Sequence, residues 1–175
     1  MKRLIPLFLL LAACADPSIR YPLAEPETGC ERGDPRPLLS KANPDILAVS
    51  SARLGQGRLR ETAFMRGRVK LTAFSVRCSV VRSIFVFELP MKPRRLDHRA
   101  SWYRRAALLL EGASESSPEA RGLREIASRL RDSAERAPEF GTQIEMGEFQ
   151  SLSLSVGEDQ KGIHTLVEIR YALKI

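Results

Sequence analysis

The sequence predicts an α+β domain in which an antiparallel sheet is covered on one face by a pair of helices. Two observations predict this fold. Alternation of apolar and polar residues marks strands before residue 90 and again after residue 142, whereas helical periodicity occupies the stretch between them. The chain of 175 residues, 43% hydrophobic and 28% charged, also has the size and balance of one globular domain. A β-sandwich with a helical insertion is the alternative that this order of elements allows.

The strands of the first half are predicted from alternation and from turn residues. Residues 46–54 form a candidate strand that ends at the turn residues 55–57. From residue 59 to 73 the odd positions are mostly apolar and the even ones are often basic, which is typical of a half-buried strand or hairpin. The apolar phase changes at Phe74, which predicts a β-bulge there. Residues 84–89 (IFVFEL) indicate a buried strand before Pro90.

Two helices are predicted in the middle of the chain. Asp97 is a candidate N-cap for a helix that runs to about Glu111 and stops at Gly112. Ser117 followed by Pro118 marks the start of the second helix, which runs to about residue 137. Its apolar side chains recur every three or four residues, so one face of this helix is expected to be buried.

The last third of the chain returns to strands. Residues 142–156 predict one or two strands, and residues 157–162 (GEDQKG) indicate a hairpin loop. Residues 163–175 show the clearest alternation in the chain, with apolar side chains at 163, 167, 169, 171, 173 and 175. This pattern predicts a final strand with one buried face.

The first fourteen residues have the features expected of a targeting segment. Lys2 and Arg3 precede a ten-residue apolar stretch, which is the length of a signal-peptide core and too short to span a membrane. The stretch ends in Leu11-Ala-Ala-Cys14 and resembles the lipobox of bacterial lipoproteins. The resemblance implies cleavage before Cys14, attachment of three acyl chains to it, and stable anchoring in a membrane.

The domain organisation follows from this start. Residues 1–13 are expected to be the signal peptide, residues 14–45 a lipid-anchored tether, and residues 46–175 a single α+β domain. The tether is expected to be extended because it holds six of the eleven prolines. The expected location is the bacterial cell envelope, facing the periplasm. In enteric bacteria an Asp directly after the cysteine favours retention of a lipoprotein in the inner membrane. Here that position is Ala15, so the outer membrane is expected.

Export also bears on the two remaining cysteines. Cys30 and Cys78 form an isolated pair, and thiols exposed to an oxidising periplasm tend to bridge. A disulfide between them is therefore expected, with two separate thiols as the alternative.

Positive charge is concentrated in the middle of the chain. The whole sequence carries +7, whereas residues 53–105 hold 14 basic and 3 acidic residues, which gives +11. Arginine binds phosphate and carboxylate groups through paired hydrogen bonds. A stripe of basic side chains is thus a candidate anion-binding face, with an ordinary solvated strand face as the alternative. Nucleic acid is not an expected partner in this compartment. The candidate residues are Arg58, Arg60, Arg66, Arg68 and Lys70.

Catalytic and metal-binding motifs are not found in the sequence. His98 and His164, the only two histidines, have no ligand partner at metal-binding spacing, and no nucleophile elbow or phosphate loop is present. The expected function is therefore a non-enzymatic adaptor or assembly factor that binds an envelope protein without a cofactor. One alternative is a module that binds peptidoglycan, lipopolysaccharide or phospholipid. Another is a small periplasmic hydrolase that uses a histidine with Asp or Glu.

Overall fold

A computed structural model describes residues 35–55, 57–77, 80–92, 98–114 and 121–174. These residues form one seven-stranded antiparallel sheet and two helices, so the predicted α+β fold is confirmed. The alternative β-sandwich is wrong, because all seven strands belong to a single sheet. The elements are β1 (Ile46–Arg53), β2 (Arg58–Met65), β3 (Val69–Arg77), β4 (Val80–Leu89), α1 (Arg99–Ser114), α2 (Arg121–Arg136), β5 (Ile144–Gly147), β6 (Gln150–Glu158) and β7 (Thr165–Lys174).

The sheet is built from two meanders that meet at its centre. Strands β1 to β4 pair in chain order, and β5, β6 and β7 do the same after the helices. Strand β7 then pairs with β4 along its whole length, from Leu89 opposite Thr165 to Val80 opposite Lys174. The resulting order is β1-β2-β3-β4-β7-β6-β5, which leaves β1 and the short β5 at the edges.

Both helices lie on the same side of the sheet and close the core. The predicted apolar face of α2 is buried, and its side chains pack with those of α1 against the inward positions of the strands. Removing these apolar groups from water is the main contribution to folding. The largest apolar and aromatic side chains that are fully buried are Tyr103, Phe85, Phe87, Leu71, Leu89, Leu110, Leu130, Leu152, Leu154 and Ile169.

The opposite, helix-free face of the sheet carries the alternate side chains. Phe74 belongs to this face, where its strand neighbours are Arg60 on β2 and Ile84 on β4. The registers run without a shift through Phe74, so the predicted bulge is wrong. The apolar phase changes because β3 is an inner strand, where an outward Phe74 is shielded and buried.

The chain enters the domain through a fixed segment. Leu39 is part of the hydrophobic core, and the backbone N–H groups of Leu38 and Leu39 donate hydrogen bonds to the two carboxylate oxygens of Glu61, at 2.9 and 3.0 Å. The side-chain amide of Asn43 donates to the carbonyl of Gly112 at the end of α1, at 2.6 Å. Residues just before β1 are thereby attached to both the sheet and the helices.

Candidate functional site

The predicted basic stripe is divided by the turn between β2 and β3. Arg58, Arg60 and Lys70 occupy outward positions on the helix-free face. Arg66 and Arg68 instead lie in the 3-10 turn Arg66–Arg68, outside either strand. Arg60 and Arg66 are six residues apart, and a strand rises about 3.3 Å per residue, so they are roughly 20 Å apart. The five side chains therefore do not form one cluster.

Two of these basic residues have carboxylate partners. Arg66 lies 3.9 Å from Asp45, and Lys70 lies 3.3 Å from Glu88. Both pairs are at least partly exposed, and such pairs contribute little to stability. They nevertheless offset part of the positive charge at this end of the sheet, which weakens the case for an anion site there.

His164 lies beside two carboxylates at the same end of the helix-free face. Its Nδ1 is 2.9 Å from an oxygen of Asp159 and 3.8 Å from one of Glu88. The hydrogen bond with His164, together with one from the backbone of Ile163, lowers the pKa of Asp159 from 3.8 to about 2. Within the described residues the ring bonds to no hydroxyl, and no group of three metal-binding side chains is present.

The remaining predicted site residues are placed as follows. Cys14, Cys30 and Cys78 lie outside the described residues, so lipidation and the disulfide stay predictions. His98 precedes α1 and is exposed. No helix in the described part of the chain is both long enough and apolar enough to cross a membrane.

An open groove lies along the start of α1, and none of the described residues that line it belongs to the predicted basic stripe. Its volume is about 530 Å³. Arg104 and Arg105 contribute its positive charge, and no carboxylate is among the described residues that line it. Its lining residues are Met91, His98, Ser101, Trp102, Arg104, Arg105 and Leu108.

The groove combines charge with apolar surface. The guanidinium carbon of Arg105 lies 5.7 Å from the centre of the Trp102 ring, close enough for a cation–π interaction. Trp102 itself is only 5% exposed, whereas Leu108, one helical turn beyond Arg104, is 63% exposed. Arg104 has no ion pair with any described residue. The α1 groove therefore presents two arginines beside apolar side chains.

A second exposed apolar surface lies at the β1 edge of the sheet. Leu47 is 68% exposed, and Phe64 on the adjacent strand is 53% exposed. Phe64 pairs with Ala48, the residue after Leu47, and it projects from the helix-free face. Clustered exposed apolar side chains are typical of surfaces that bind other molecules.

The sequence contains a signal for the α1 groove that lies outside the predicted basic stripe. Residues 92–105 hold six basic residues and one acidic residue. Ser101, Arg104, Arg105 and Leu108 follow the three- and four-residue spacing that places side chains on one face of a helix. The excess of basic residues in this stretch can be read from the sequence. Which face of α1 packs against the domain, and so which arginines are exposed, depends on the tertiary fold.

Comparison with known proteins gives no assignment for this site. No protein-family model, no curated protein and no solved structure matches the chain.

Proposed function

We propose that the chain is a non-enzymatic, lipid-anchored adaptor or assembly factor of the bacterial cell envelope. Cys14 would carry the anchor, and the domain would face the periplasm and bind a protein partner. The membrane would be the outer one, and no cofactor would take part. This proposal combines the lipobox resemblance of the first fourteen residues with the surface of the folded domain.

The observation that carries the binding role is the apolar β1 edge with the helix-free face beside it. Strand β1 is an eight-residue edge strand, and among the described residues it pairs only with β2. An edge strand offers backbone donors and acceptors to an added strand of a partner. Exposed Leu47 and Phe64 would supply apolar contact next to that edge.

The two alternatives receive different support. The α1 groove favours binding of an anionic lipid as a second candidate function. The hydrolase alternative is less well supported. His164 lies beside two carboxylates, as that alternative requires, but among the described residues its ring bonds to no hydroxyl that could act as a nucleophile.

Site-specific photocrosslinking tests the adaptor proposal. A photoreactive phenylalanine replaces Phe64 in the lipidated chain in cells, and the same residue replaces Phe149, which is 56% exposed in the turn between β5 and β6. One specific envelope protein should be captured at Phe64 and not at Phe149. Ala48→Lys, which charges the edge strand, should abolish that adduct. Equal capture at both positions, or an adduct insensitive to Ala48→Lys, would contradict the proposal.

The anchor is tested separately. Mass spectrometry of the purified chain should show an N-terminal Cys14 with acyl chains attached, and the chain should fractionate with the outer membrane. Cys14→Ser should release it from the membrane fraction. An unmodified Cys14 would overturn the lipid anchor without affecting the test at Phe64.

A further inference from the structure

We propose that the α1 groove binds the phosphate headgroup of an anionic phospholipid together with the first part of its acyl chains. The groove goes beyond the adaptor role and does not coincide with the β1 edge. Only the choice of a phospholipid as the source of the phosphate rests on the proposed envelope location.

The charge of the α1 groove selects an anion. Arg104 and Arg105 line it and, among the residues that the structure describes, no carboxylate does, so a phosphate would meet two positive charges there. The guanidinium carbon of Arg105 lies 5.7 Å from the centre of the Trp102 ring, and a cation–π interaction at that distance favours one placement of the guanidinium, which reduces the entropy lost when an anion binds. Two arginines provide paired hydrogen bonds that match the oxygens of a phosphate.

The apolar part of the groove selects a ligand that is more than a free anion. Leu108 is 63% exposed one helical turn from the arginines, and Met91 and Trp102 also line the groove. A volume of about 530 Å³ lies within the range of small-molecule sites and is far larger than one phosphate needs. A headgroup at the arginines would therefore place the start of an acyl chain at Leu108.

The order of side chains on α1 gives the site a direction. Ser101, the two arginines and Leu108 succeed one another along the exposed face of the helix, and His98 lies just before it. The exposed polar side chains of the groove are thus nearest the N-terminus of α1, and its most exposed apolar side chain, Leu108, lies one turn beyond Arg104. An amphiphile has the same polarity along its length, whereas a free anion or a hydrocarbon matches only one end.

Calorimetric titration with a monomeric phospholipid tests the proposal. The protein is the whole chain from residue 14 onward with Cys14→Ser, so that no attached acyl chain competes for the groove. Dihexanoylphosphatidylglycerol should bind, and dihexanoylphosphatidylcholine and inorganic phosphate should each bind at least about tenfold more weakly. Trp102 is the only tryptophan of the chain, so its fluorescence should change on binding.

Variants identify the two parts of the groove. Arg104→Gln and Arg105→Gln should each weaken binding of the anionic lipid about tenfold, as expected for loss of a charged hydrogen bond. Leu108→Ser should weaken binding of the lipid and leave that of inorganic phosphate unchanged. Arg124→Gln, at an exposed position of α2, removes the same charge elsewhere and should have no effect.

Three results would overturn the proposal. Equal binding of the two phospholipids would show an apolar site without headgroup recognition, and equal binding of inorganic phosphate would show a simple anion site. Unchanged affinity in the arginine variants would place the lipid elsewhere. None of these outcomes bears on capture at Phe64 or on the modification of Cys14, so failure here is distinguishable from failure of the adaptor proposal.

Discussion

The Nδ1 atom of His164 lies 2.9 Å from an oxygen of Asp159, in the loop that connects β6 and β7. Asp159 also accepts hydrogen bonds from the backbone N–H groups of Ile163 and His164 through its other oxygen. One carboxylate thereby organises the loop before β7, and each of these contacts is stronger while the carboxylate is charged.

Asp159 should make the stability of the domain depend on pH in the acid range. Its pKa is lowered from 3.8 in the unfolded chain to about 2, mainly by the hydrogen bond with His164. A lowered pKa means that the contribution is complete above about pH 4 and is lost as the pH falls towards 2. Urea unfolding of the native chain and Asp159→Asn should therefore give free energies that differ at pH 5 and converge as the pH approaches 2.

The matched control for this experiment is Asp132→Asn, because Asp132 is exposed on α2 and its removal changes the net charge equally. The difference in free energy of unfolding between the native chain and Asp132→Asn should not shrink as the pH falls from 5 to 2. A stability difference for Asp159→Asn that is constant from pH 5 to pH 2 would show that the carboxylate charge does not stabilise the loop.

Glu61 should hold the entry segment against the sheet. Its side chain is 1% exposed, and burial raises its pKa, whereas the N–H groups of Leu38 and Leu39 favour the charged form. Glu61→Gln keeps the shape but turns an amide NH₂ towards one of the two N–H donors. We expect the free energy of unfolding to fall by about 1–3 kcal/mol, the usual cost of a buried polar group left unpaired.

The same variant should expose the segment before β1 to protease. Lys41 is exposed, and the backbone around it is held by the Leu39 and Asn43 contacts. Trypsin should cleave after Lys41 several-fold faster in Glu61→Gln than in the native chain. Glu168→Gln, on the helix-free face, should leave the cleavage rate unchanged. Equal cleavage rates in all three chains would mean that Glu61 does not restrain this segment.

Cys30 and Cys78 should be joined in the exported protein. Leu38 lines a small cavity with Ser83 and Phe85, so the entry segment comes near β4. Ser83 is five residues from Cys78, which is about 17 Å of fully extended chain, and the eight residues from 30 to 38 can extend about 26 Å. The chain length thus allows the two cysteines to meet in the connection between β3 and β4.

Thiol counting checks this prediction. The denatured, exported chain should react with no thiol reagent until it is reduced, and reduction should lower the free energy of unfolding by roughly 2–4 kcal/mol. Cys30→Ser and Cys78→Ser should each lose the same amount and leave one reactive thiol. Two reactive thiols in the unreduced chain would leave the alternative of separate cysteines.

Periodicity predicted many of the buried side chains, but it did not predict all of them, nor which strands are adjacent. Ile163, assigned to the buried face of the last strand, lies before β7 and is 52% exposed. The alternation in β7 correctly placed Val167 and Ile169 in the core. It carries no information on pairing with β4, because the backbone that forms those hydrogen bonds is the same at every residue. The alternation of buried and exposed positions can therefore be predicted from the sequence of a single strand. The order of the strands in the sheet arises from the packing of the whole domain.

The candidate site was harder to predict for a related reason. Arg66 and Arg68 continue the alternation of β2 in the sequence, but the chain turns at Gly67 and takes them off the strand. Arg104 and Arg105 have the same charge, and their significance depends on Trp102 and Leu108 being beside them in the folded helix. The sequence shows how many charged residues there are, whereas a binding site requires that their side chains lie close together in the folded domain.

Gly67 should be required by the turn between β2 and β3 for its backbone conformation alone. Its φ is +73°, a left-handed conformation, and a Cβ atom added there would contact nothing within 4 Å. Gly122 in α2 likewise has open space around it but lies in a right-handed helix. Gly67→Ala should therefore destabilise the domain by about 1–2 kcal/mol, whereas Gly122→Ala should stabilise it by up to about 1 kcal/mol. Because neither substitution causes a clash, opposite shifts in the urea midpoint isolate the backbone effect, and two shifts of the same sign would contradict the assigned turn.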